Sequence, residues 1–125
     1  MSIRYLDKDF AITSQVAPDA LPGLRDAGLA TIICNRPDGE AADQPSFAAV
    51  AEQAAQCGVE AHYLPVIPGK ITPRDVEAFA ALIAAAPKPV LAYCRTGLRA
   101  ETLWQLSDGL RQEAQGSATR TLTRS

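Results

Sequence analysis

The chain has 125 residues, which is the size of one ordinary domain, so we expect a single hydrophobic core and one functional site. Its formal net charge of −2 and the lack of a basic stripe argue against a nucleic-acid-binding protein, because such surfaces neutralise phosphates with lysine and arginine. The first residues lack the apolar run of a signal peptide, and no later run approaches the roughly 18 apolar residues that cross a membrane. The composition therefore predicts a soluble, cytoplasmic protein with no nucleic-acid or membrane partner.

The cysteine and histidine content argues against disulfides and against a metal site. Cys34, Cys57 and Cys94 are odd in number and widely spaced, which fits neither a disulfide framework nor a zinc knuckle. His62 is the single histidine of the sequence, which further weakens a metal site. We therefore expect no metal and no cofactor, and we expect reduced thiols of which one is reactive.

Short apolar strands alternate with helices along the chain. The predicted strands are residues 3–6, 10–14, 29–34, 59–67 and 89–93. The runs at 29–34 and 89–93 are continuously apolar, which is typical of strands covered on both faces. Alternating strands and helices predict the α/β class, with three layers in which helices flank a mainly parallel central sheet.

The helix predictions rest on capping residues and on apolar spacing. A first short helix lies within residues 17–28, and a second lies within residues 46–58, where a serine caps the start and a glycine follows the end. A third begins at Thr72, because Pro73 at the first helical position and Asp75 three residues after Thr72 are typical of a helix start.

The last predicted helix covers residues 99–113. Its predicted inward side chains are Leu103, Leu106 and Leu110. Residues 112–125 lose both periodicity and apolar content, so they are predicted to form a flexible tail. The remaining residues 1–111 are then a single catalytic domain.

The segment "AYCRTGLR", residues 92–99, joins the strand at 89–93 to the last helix. Ligands of open α/β sheets bind beyond the carboxyl ends of the strands, so Cys94 is expected at the functional edge. Gly97 permits a backbone conformation that other residues avoid, and N–H groups at a helix N-terminus favour both an anion and a thiolate. We therefore predict that Cys94 is a catalytic nucleophile.

Residues on the neighbouring strand and loop have two interpretations each. Buried cysteines are usually inert, so Cys34 and Cys57 are expected to be unreactive, with Cys34 as a resolving thiol as the alternative. Arg36 follows a strand expected beside the Cys94 strand. It is predicted either as a second anion contact or as a salt-bridge partner of Asp38 or Glu40.

Three separated segments carry a family resemblance: "IICNRPDGEAADQPSF", "YLPVIPGKITPRDVEAF" and "PVLAYCRTGLRAETLWQL". They resemble the phosphatase-like domain of the bacterial beta-lactamase-hydrolase-like family, over about residues 3–110. The resemblance implies a dual-specificity-phosphatase-like fold. It also implies a role in sulfide metabolism and a persulfide dioxygenase as a partner, because family members occur alone or fused to such enzymes, and some are described as sulfur transferases.

The Cys–Arg loop departs from the phosphatase pattern. Cysteine phosphatases place five residues between the cysteine and the arginine, usually with a histidine first, whereas four residues separate Cys94 from Arg99 and Tyr93 precedes the cysteine. Rhodanese-type sulfurtransferases have Cys-Arg-x-Gly-x-Arg, which "CRTGLR" fits at every position. Dual-specificity phosphatases also use an aspartic acid as the proton donor, yet residues 64–72 contain no carboxylate. The candidates to replace it are Asp38, Glu40 and Asp43.

These observations together favour a rhodanese-like sulfurtransferase that passes sulfane sulfur through a persulfide on Cys94, with Arg99 as the second catalytic residue. The predicted substrate-binding residues are Arg95, Thr96, Gly97, Leu98, Arg36 and Asp38. The expected substrates are a small anionic sulfur donor and a thiol acceptor. Two alternatives stay open: a cysteine-dependent protein tyrosine or dual-specificity-type phosphatase, and a non-catalytic persulfide carrier for a partner enzyme.

Overall fold

The central sheet has five strands in the computed structural model, which describes residues 1–114. The strands are β1 (Arg4–Asp7), β2 (Phe10–Thr13), β3 (Thr31–Cys34), β4 (Glu60–Tyr63) and β5 (Val90–Tyr93). Their order across the sheet is β1-β2-β5-β3-β4. β1 pairs with β2 in antiparallel orientation, and the other pairs are parallel. The predicted mainly parallel sheet is therefore confirmed.

Helices cover both faces of this sheet. They are α1 (Leu21–Asp26), α2 (Phe47–Cys57), α3 (Pro73–Ala85) and α4 (Leu98–Leu106). A short 3₁₀ turn at Pro18–Ala20 leads into α1, and residues 108–114 are helical again after α4. One hydrophobic cluster joins the sheet to α1 and α2 through Leu21, Leu24, Val50 and Ala54. A second joins it to α3 and α4 through Phe79, Ile83 and Leu103. The predicted three-layer α/β architecture is confirmed.

The start of α3 is the capping box that the sequence predicts. The Thr72 hydroxyl accepts a hydrogen bond from the Asp75 N–H at 3.1 Å, and the Asp75 carboxylate accepts one from the Thr72 N–H at 2.9 Å. Pro73 occupies the first helical position, where its missing N–H removes no helical hydrogen bond. Two of the unpaired donors at the helix start are thus satisfied by side chains.

Replacing Thr72 by alanine is expected to lower the free energy of unfolding by about 1 kcal/mol, because the Asp75 N–H loses its acceptor. Urea denaturation of the variant and the parent protein measures the difference. Thr72→Ser keeps the hydroxyl and is expected to stay within a few tenths of a kcal/mol of the parent. Equal losses in both variants would contradict this role of the hydroxyl.

β4 is shorter than predicted, since it ends at Tyr63 rather than at residue 67. Pro65 and Pro68 interrupt the following segment, because proline has no N–H to donate to a strand partner. The Val66 N–H still donates to the Asn35 carbonyl at 3.1 Å. The segment therefore continues beside the end of β3 and brings the backbone of Val66 to the carboxyl edge of the sheet.

The last predicted helix is interrupted at Ser107, and two of its three predicted inward leucines are wrong. Leu103 is fully buried, but Leu106 is 55% exposed and Leu110 is 37% exposed. The buried positions of α4 are residues 99, 100 and 103; Leu106 has the spacing of the same face, but it lines an open pocket instead of the core. Leu110 follows the interruption at Ser107, beyond which the spacing of α4 no longer sets its direction.

The predicted tail at residues 112–125 is only partly described by the structure. Residues 112–114 are helical, and residues 115–125 lie outside the described residues. Within residues 1–114, no helix combines the length and the apolar character that crossing a membrane requires.

Candidate active site

Cys94 lies at the carboxyl edge of the sheet, where three parallel strands end level with one another. Tyr93 is in register with Thr13 of β2 and with Cys34 of β3. The Cys94 N–H donates to the Thr13 carbonyl at 3.4 Å, and the Asn35 N–H donates to the Tyr93 carbonyl at 2.8 Å. The loops that follow β3 and β5 therefore begin side by side and border one site.

The Cys94 sulfur is held in the turn between β5 and α4. It accepts a hydrogen bond from the Gly97 N–H at 3.0 Å, and Cys94 is only 1% exposed. Gly97 is the N-cap of α4 and has a φ of 96°, a region that favours glycine. A helix N-terminus carries partial positive charge, so this position stabilises negative charge on the sulfur.

Gly97→Ala is expected to lower the free energy of unfolding by about 1–3 kcal/mol. The new Cβ would lie 3.4 Å from the Thr13 carbonyl oxygen, and the positive φ adds backbone strain. Chemical denaturation measures the loss. The matched control is Gly23→Ala in α1, where a Cβ would meet nothing within 4 Å. That variant is expected to be neutral or stabilising by up to about 1 kcal/mol. Equal stability of the two variants would contradict the expectation.

Arg99 is buried beside Cys94 and is held by two hydrogen-bond partners. Its Nη1 donates to Glu40 Oε2 at 2.6 Å and to the Val66 carbonyl at 3.0 Å, and its Nη2 donates to Glu40 Oε1 at 2.9 Å. The Glu40 carboxylate raises the pKa of Arg99, burial opposes this, and the nearby Cys94 sulfur raises it further. Arg99 is therefore a fixed cation next to Cys94.

Glu40 binds a second arginine as well. Arg36 Nε donates to Glu40 Oε1 at 3.0 Å, and Arg36 Nη1 donates to Gln15 Oε1 at 3.0 Å. The hydrogen bond from Arg99 holds the pKa of Glu40 below its ordinary value; burial opposes this, and Arg36 lowers the pKa further. Glu40 is consequently ionised at neutral pH, and it leaves the two arginines with a single net positive charge. Arg36 forms the predicted salt bridge, with Glu40 and not with Asp38 as its partner.

A pocket of about 700 Å³ opens over this cluster of charges. The predicted site residues that line it are Arg36, Arg95, Thr96, Leu98 and Arg99. Its apolar wall consists of Pro68, Ile71, Leu98 and Leu106. Cys94 and Gly97 are buried in the loop from which Arg95, Thr96 and Leu98 extend into the pocket wall. The pocket thus combines cations, one carboxylate and an apolar side.

Asp38 was predicted to bind substrate, but the structure places it outside the lining of this pocket. Its carboxylate accepts a hydrogen bond from the Phe47 N–H at 2.8 Å, and its own N–H donates to the Tyr63 hydroxyl at 2.9 Å. The Phe47 and Tyr63 rings stack with centroids 5.0 Å apart. Asp38 therefore ties the loop that carries Arg36 and Glu40 to α2 and β4.

Cys34 packs on the sheet face covered by α1 and α2. Its thiol donates to the Arg36 carbonyl at 3.2 Å, and burial raises the pKa of the thiol. Burial likewise raises the pKa of Tyr93, whose hydroxyl lies beside Cys34. This environment supports the predicted core role of Cys34 over the role of a resolving thiol.

Side chains of the types that ligate metals do not converge within the described part of the chain. Among residues 1–114, no three His, Cys, Asp or Glu side chains are grouped so that they could hold a metal ion. His62 contacts Glu60 on the edge strand, with 2.6 Å between Nε2 and Oε1.

Several atoms that build the site carry no signal in the sequence. The Val66 and Thr13 carbonyls hold Arg99 and the backbone of Cys94, but a backbone carbonyl is present at every residue. The sequence suggests only two roles for Glu40, as a proton donor or as a partner of Arg36. Its pairing with Arg99, 59 residues away, depends on the fold.

The sequence relatives and a family model agree on one family. The model described as "Beta-lactamase hydrolase-like protein, phosphatase-like domain" matches residues 2–111. The beta-lactamase hydrolase-like protein of Xylella fastidiosa is 35% identical over 108 residues, which are 86% of this chain and 25% of that protein. This chain therefore spans about a quarter of the length of the curated relatives that it matches.

Solved structures agree on the fold. A candidate phosphatase from Neisseria meningitidis is 44% identical and has a TM-score of 0.78, covering 83% of this chain and 74% of that one. A mutant form of Tk-PTP, at 18% identity, has a TM-score of 0.61 over 77% of this chain and 62% of its own. These neighbours confirm the predicted dual-specificity-phosphatase-like fold.

The comparisons favour the predicted phosphatase alternative over the predicted sulfurtransferase, because both the family description and the structural neighbours are phosphatase-like. They support a phosphatase-like enzyme on this fold. The family predicted from the three sequence segments is confirmed, and this chain belongs to the beta-lactamase hydrolase-like proteins, in their phosphatase-like domain.

Proposed function

We propose that this chain is a sulfurtransferase that carries sulfane sulfur as a persulfide on Cys94. The observation that carries the proposal is the four-residue spacing between Cys94 and Arg99. A loop this short encloses a smaller volume than the longer loop of cysteine phosphatases, so it suits one outer sulfur better than a tetrahedral phosphate. The Gly97 N–H, 3.0 Å from the Cys94 sulfur, supplies a hydrogen-bond donor at that position.

The proposed reaction has two steps that together leave the protein unchanged. The Cys94 thiolate attacks the outer sulfur of thiosulfate or of a low-molecular-weight persulfide, and a new S–S bond forms as the donor's S–S bond breaks. The electron pair of the broken bond leaves on sulfite or on a thiolate. An acceptor thiolate then attacks the outer sulfur on Cys94 and regenerates the Cys94 thiolate. Arg99 neutralises the anionic donor, and the exposed Arg95 attracts it to the pocket.

The acid–base character of the site supports this chemistry. Residues 64–72 contain no carboxylate, and Glu40 is held in its ionised form by Arg99 and Arg36. An ionised carboxylate has no proton to give to a leaving alkoxide, which phosphate ester hydrolysis needs. Sulfite and thiolates leave as stable anions and need no strong acid.

The second candidate is a cysteine-dependent phosphatase, which the family description and the Neisseria meningitidis structure favour. It uses the same nucleophile and the same cation. Its cysteine attacks phosphorus instead of sulfur and forms a phosphocysteine that water then hydrolyses. Binding of a phosphate ester would have to move Glu40 away from Arg99 before that carboxyl could act as an acid.

Side-by-side kinetics with thiosulfate, glutathione persulfide and an aryl phosphate distinguish the two candidates. We expect sulfur transfer to be at least about a hundredfold faster, in kcat/KM, than phosphate hydrolysis. Intact-mass spectrometry should show one added sulfur atom on Cys94 after incubation with the donor, and the acceptor thiol should remove it. Aryl phosphate turnover with no sulfur gained by Cys94 would overturn the proposal in favour of the phosphatase.

The same measurements address the third possibility, a carrier that serves a partner enzyme such as a persulfide dioxygenase. A carrier would load sulfur on Cys94 at a normal rate but would release it to small thiols very slowly. Release that accelerates only when purified persulfide dioxygenase is added would identify a carrier rather than a free-standing transferase.

A further inference from the structure

We infer that Glu40 is the positioning residue for Arg99, holding its guanidinium in the orientation that serves a reaction at Cys94. The inference rests on the proposed function only in taking Cys94 as the nucleophile. It applies whether the anion that approaches Cys94 carries sulfur or phosphorus. Nothing in the spacing of the two residues along the chain assigns Glu40 this role.

The contacts fix the plane of the guanidinium. Two parallel hydrogen bonds run from Nη1 and Nη2 of Arg99 to the two carboxylate oxygens of Glu40, at 2.6 and 2.9 Å. Such a paired geometry sets the plane as well as the position of the group. The Val66 carbonyl accepts a further hydrogen bond from Nη1 at 3.0 Å. These contacts use three of the five N–H groups of Arg99 and leave the Nε–H and the second Nη2–H out of the pairing with Glu40 and Val66.

Glu40 is itself held in place. Arg36 donates to Glu40 Oε1 at 3.0 Å, and Gln15 accepts a hydrogen bond from Arg36 at 3.0 Å. The Arg36 side chain is only 6% exposed, so this support is shielded from water. Gln15, Arg36, Glu40 and Arg99 consequently form one connected chain of polar groups that ends beside the nucleophile.

A simpler role for Glu40 would be to lower the positive charge of the pocket. The two roles predict opposite effects of removing the carboxylate. If Glu40 only offsets charge, its removal makes the surroundings of Cys94 more positive and speeds the reaction of Cys94 with anions. If Glu40 positions Arg99, removal of the carboxylate lets the guanidinium turn away from Cys94. Anionic reagents then lose part of their rate advantage over neutral reagents in the reaction with Cys94.

Alkylation of Cys94 by iodoacetate, an anion, and by iodoacetamide, a neutral molecule of nearly the same size, separates these roles. The measured quantity is the ratio of the two rate constants, followed on the Cys94 peptide by mass spectrometry so that Cys57 does not interfere. We expect Glu40→Gln to lower the iodoacetate-to-iodoacetamide ratio by about tenfold. Glu40→Asp keeps the negative charge, but the shorter side chain cannot accept hydrogen bonds from both Nη1 and Nη2 of Arg99. This variant is therefore also expected to lower the ratio.

The matched control is Glu52→Gln, which makes the same change of charge on the exposed surface of α2 and is expected to leave the ratio within about twofold. A ratio that stays unchanged or rises in Glu40→Gln overturns the inference. An unchanged ratio in a folded Glu40→Asp protein also overturns it, because geometry would then be irrelevant. Alkylation uses no sulfur donor, so failure of sulfur transfer and failure of this inference give separate results.

Discussion

Replacing Cys94 by serine is expected to lower turnover with a sulfur donor by at least about a thousandfold. A serine hydroxyl at this position is neither ionised nor able to hold a sulfane sulfur, so the first step of the proposed reaction is lost. The same variant should show no added sulfur by intact-mass spectrometry. The fold should be retained, because Cys94 contributes a single buried sulfur whose recorded hydrogen bond comes from Gly97.

The matched control for that variant is Cys57→Ser. Cys57 lies at the end of α2, is only partly buried, and is not among the residues that line the pocket. Its replacement is expected to leave sulfur loading and turnover within about twofold of the parent protein. Sulfur loading that disappears in Cys57→Ser but persists in Cys94→Ser would show that Cys57, and not Cys94, is the nucleophile.

Replacing Arg99 by lysine is expected to lower kcat/KM for anionic donors by about a hundredfold, although the positive charge is kept. A lysine offers one ammonium group, which cannot make the two parallel hydrogen bonds to Glu40 and still present a donor toward Cys94. The effect should fall mainly on kcat, because the charge that attracts the donor remains. Steady-state kinetics with thiosulfate separates kcat from KM.

Arg74→Lys on α3 provides the control for this substitution, since Arg74 is exposed and is not among the residues that line the pocket. It is expected to leave kcat and KM unchanged within about twofold. If Arg99→Lys were as active as Arg74→Lys, charge alone would account for the role of Arg99, and the paired hydrogen bonds to Glu40 would be irrelevant to catalysis.

Local sequence signals predicted most of the fold. The apolar runs around Ile33 and Leu91 gave the buried strands, because a strand covered on both faces needs apolar side chains on both. The Thr72–Asp75 pair gave the start of α3, since both members of a capping box lie within four residues. Local chemistry of this kind is visible in any short window of sequence.

Predictions that depended on long-range packing were less reliable. Leu106 and Leu110 fit the spacing of an inward helical face, yet both are exposed. Leu106 lines the open pocket, and Leu110 follows the interruption of the helix at Ser107. Glu40 could be proposed as an acid from its position near Arg36, but its ionised state follows from Arg99, which only the fold brings close. The place of Cys94 between a buried strand and a Gly-containing loop pointed to the nucleophile, whereas the partner of Arg99 could be identified only from the tertiary structure.

The burial of Cys94 controls which molecules reach it. With 1% of its surface exposed, Cys94 can react only with a group narrow enough to reach a sulfur buried within its loop. Reaction rates with different thiols should therefore depend on the width of the approaching molecule more than on its intrinsic reactivity. If Cys94 transfers sulfur as proposed, a folded protein could reach it only through a slender, protruding segment, and selectivity among thiols would follow from their size.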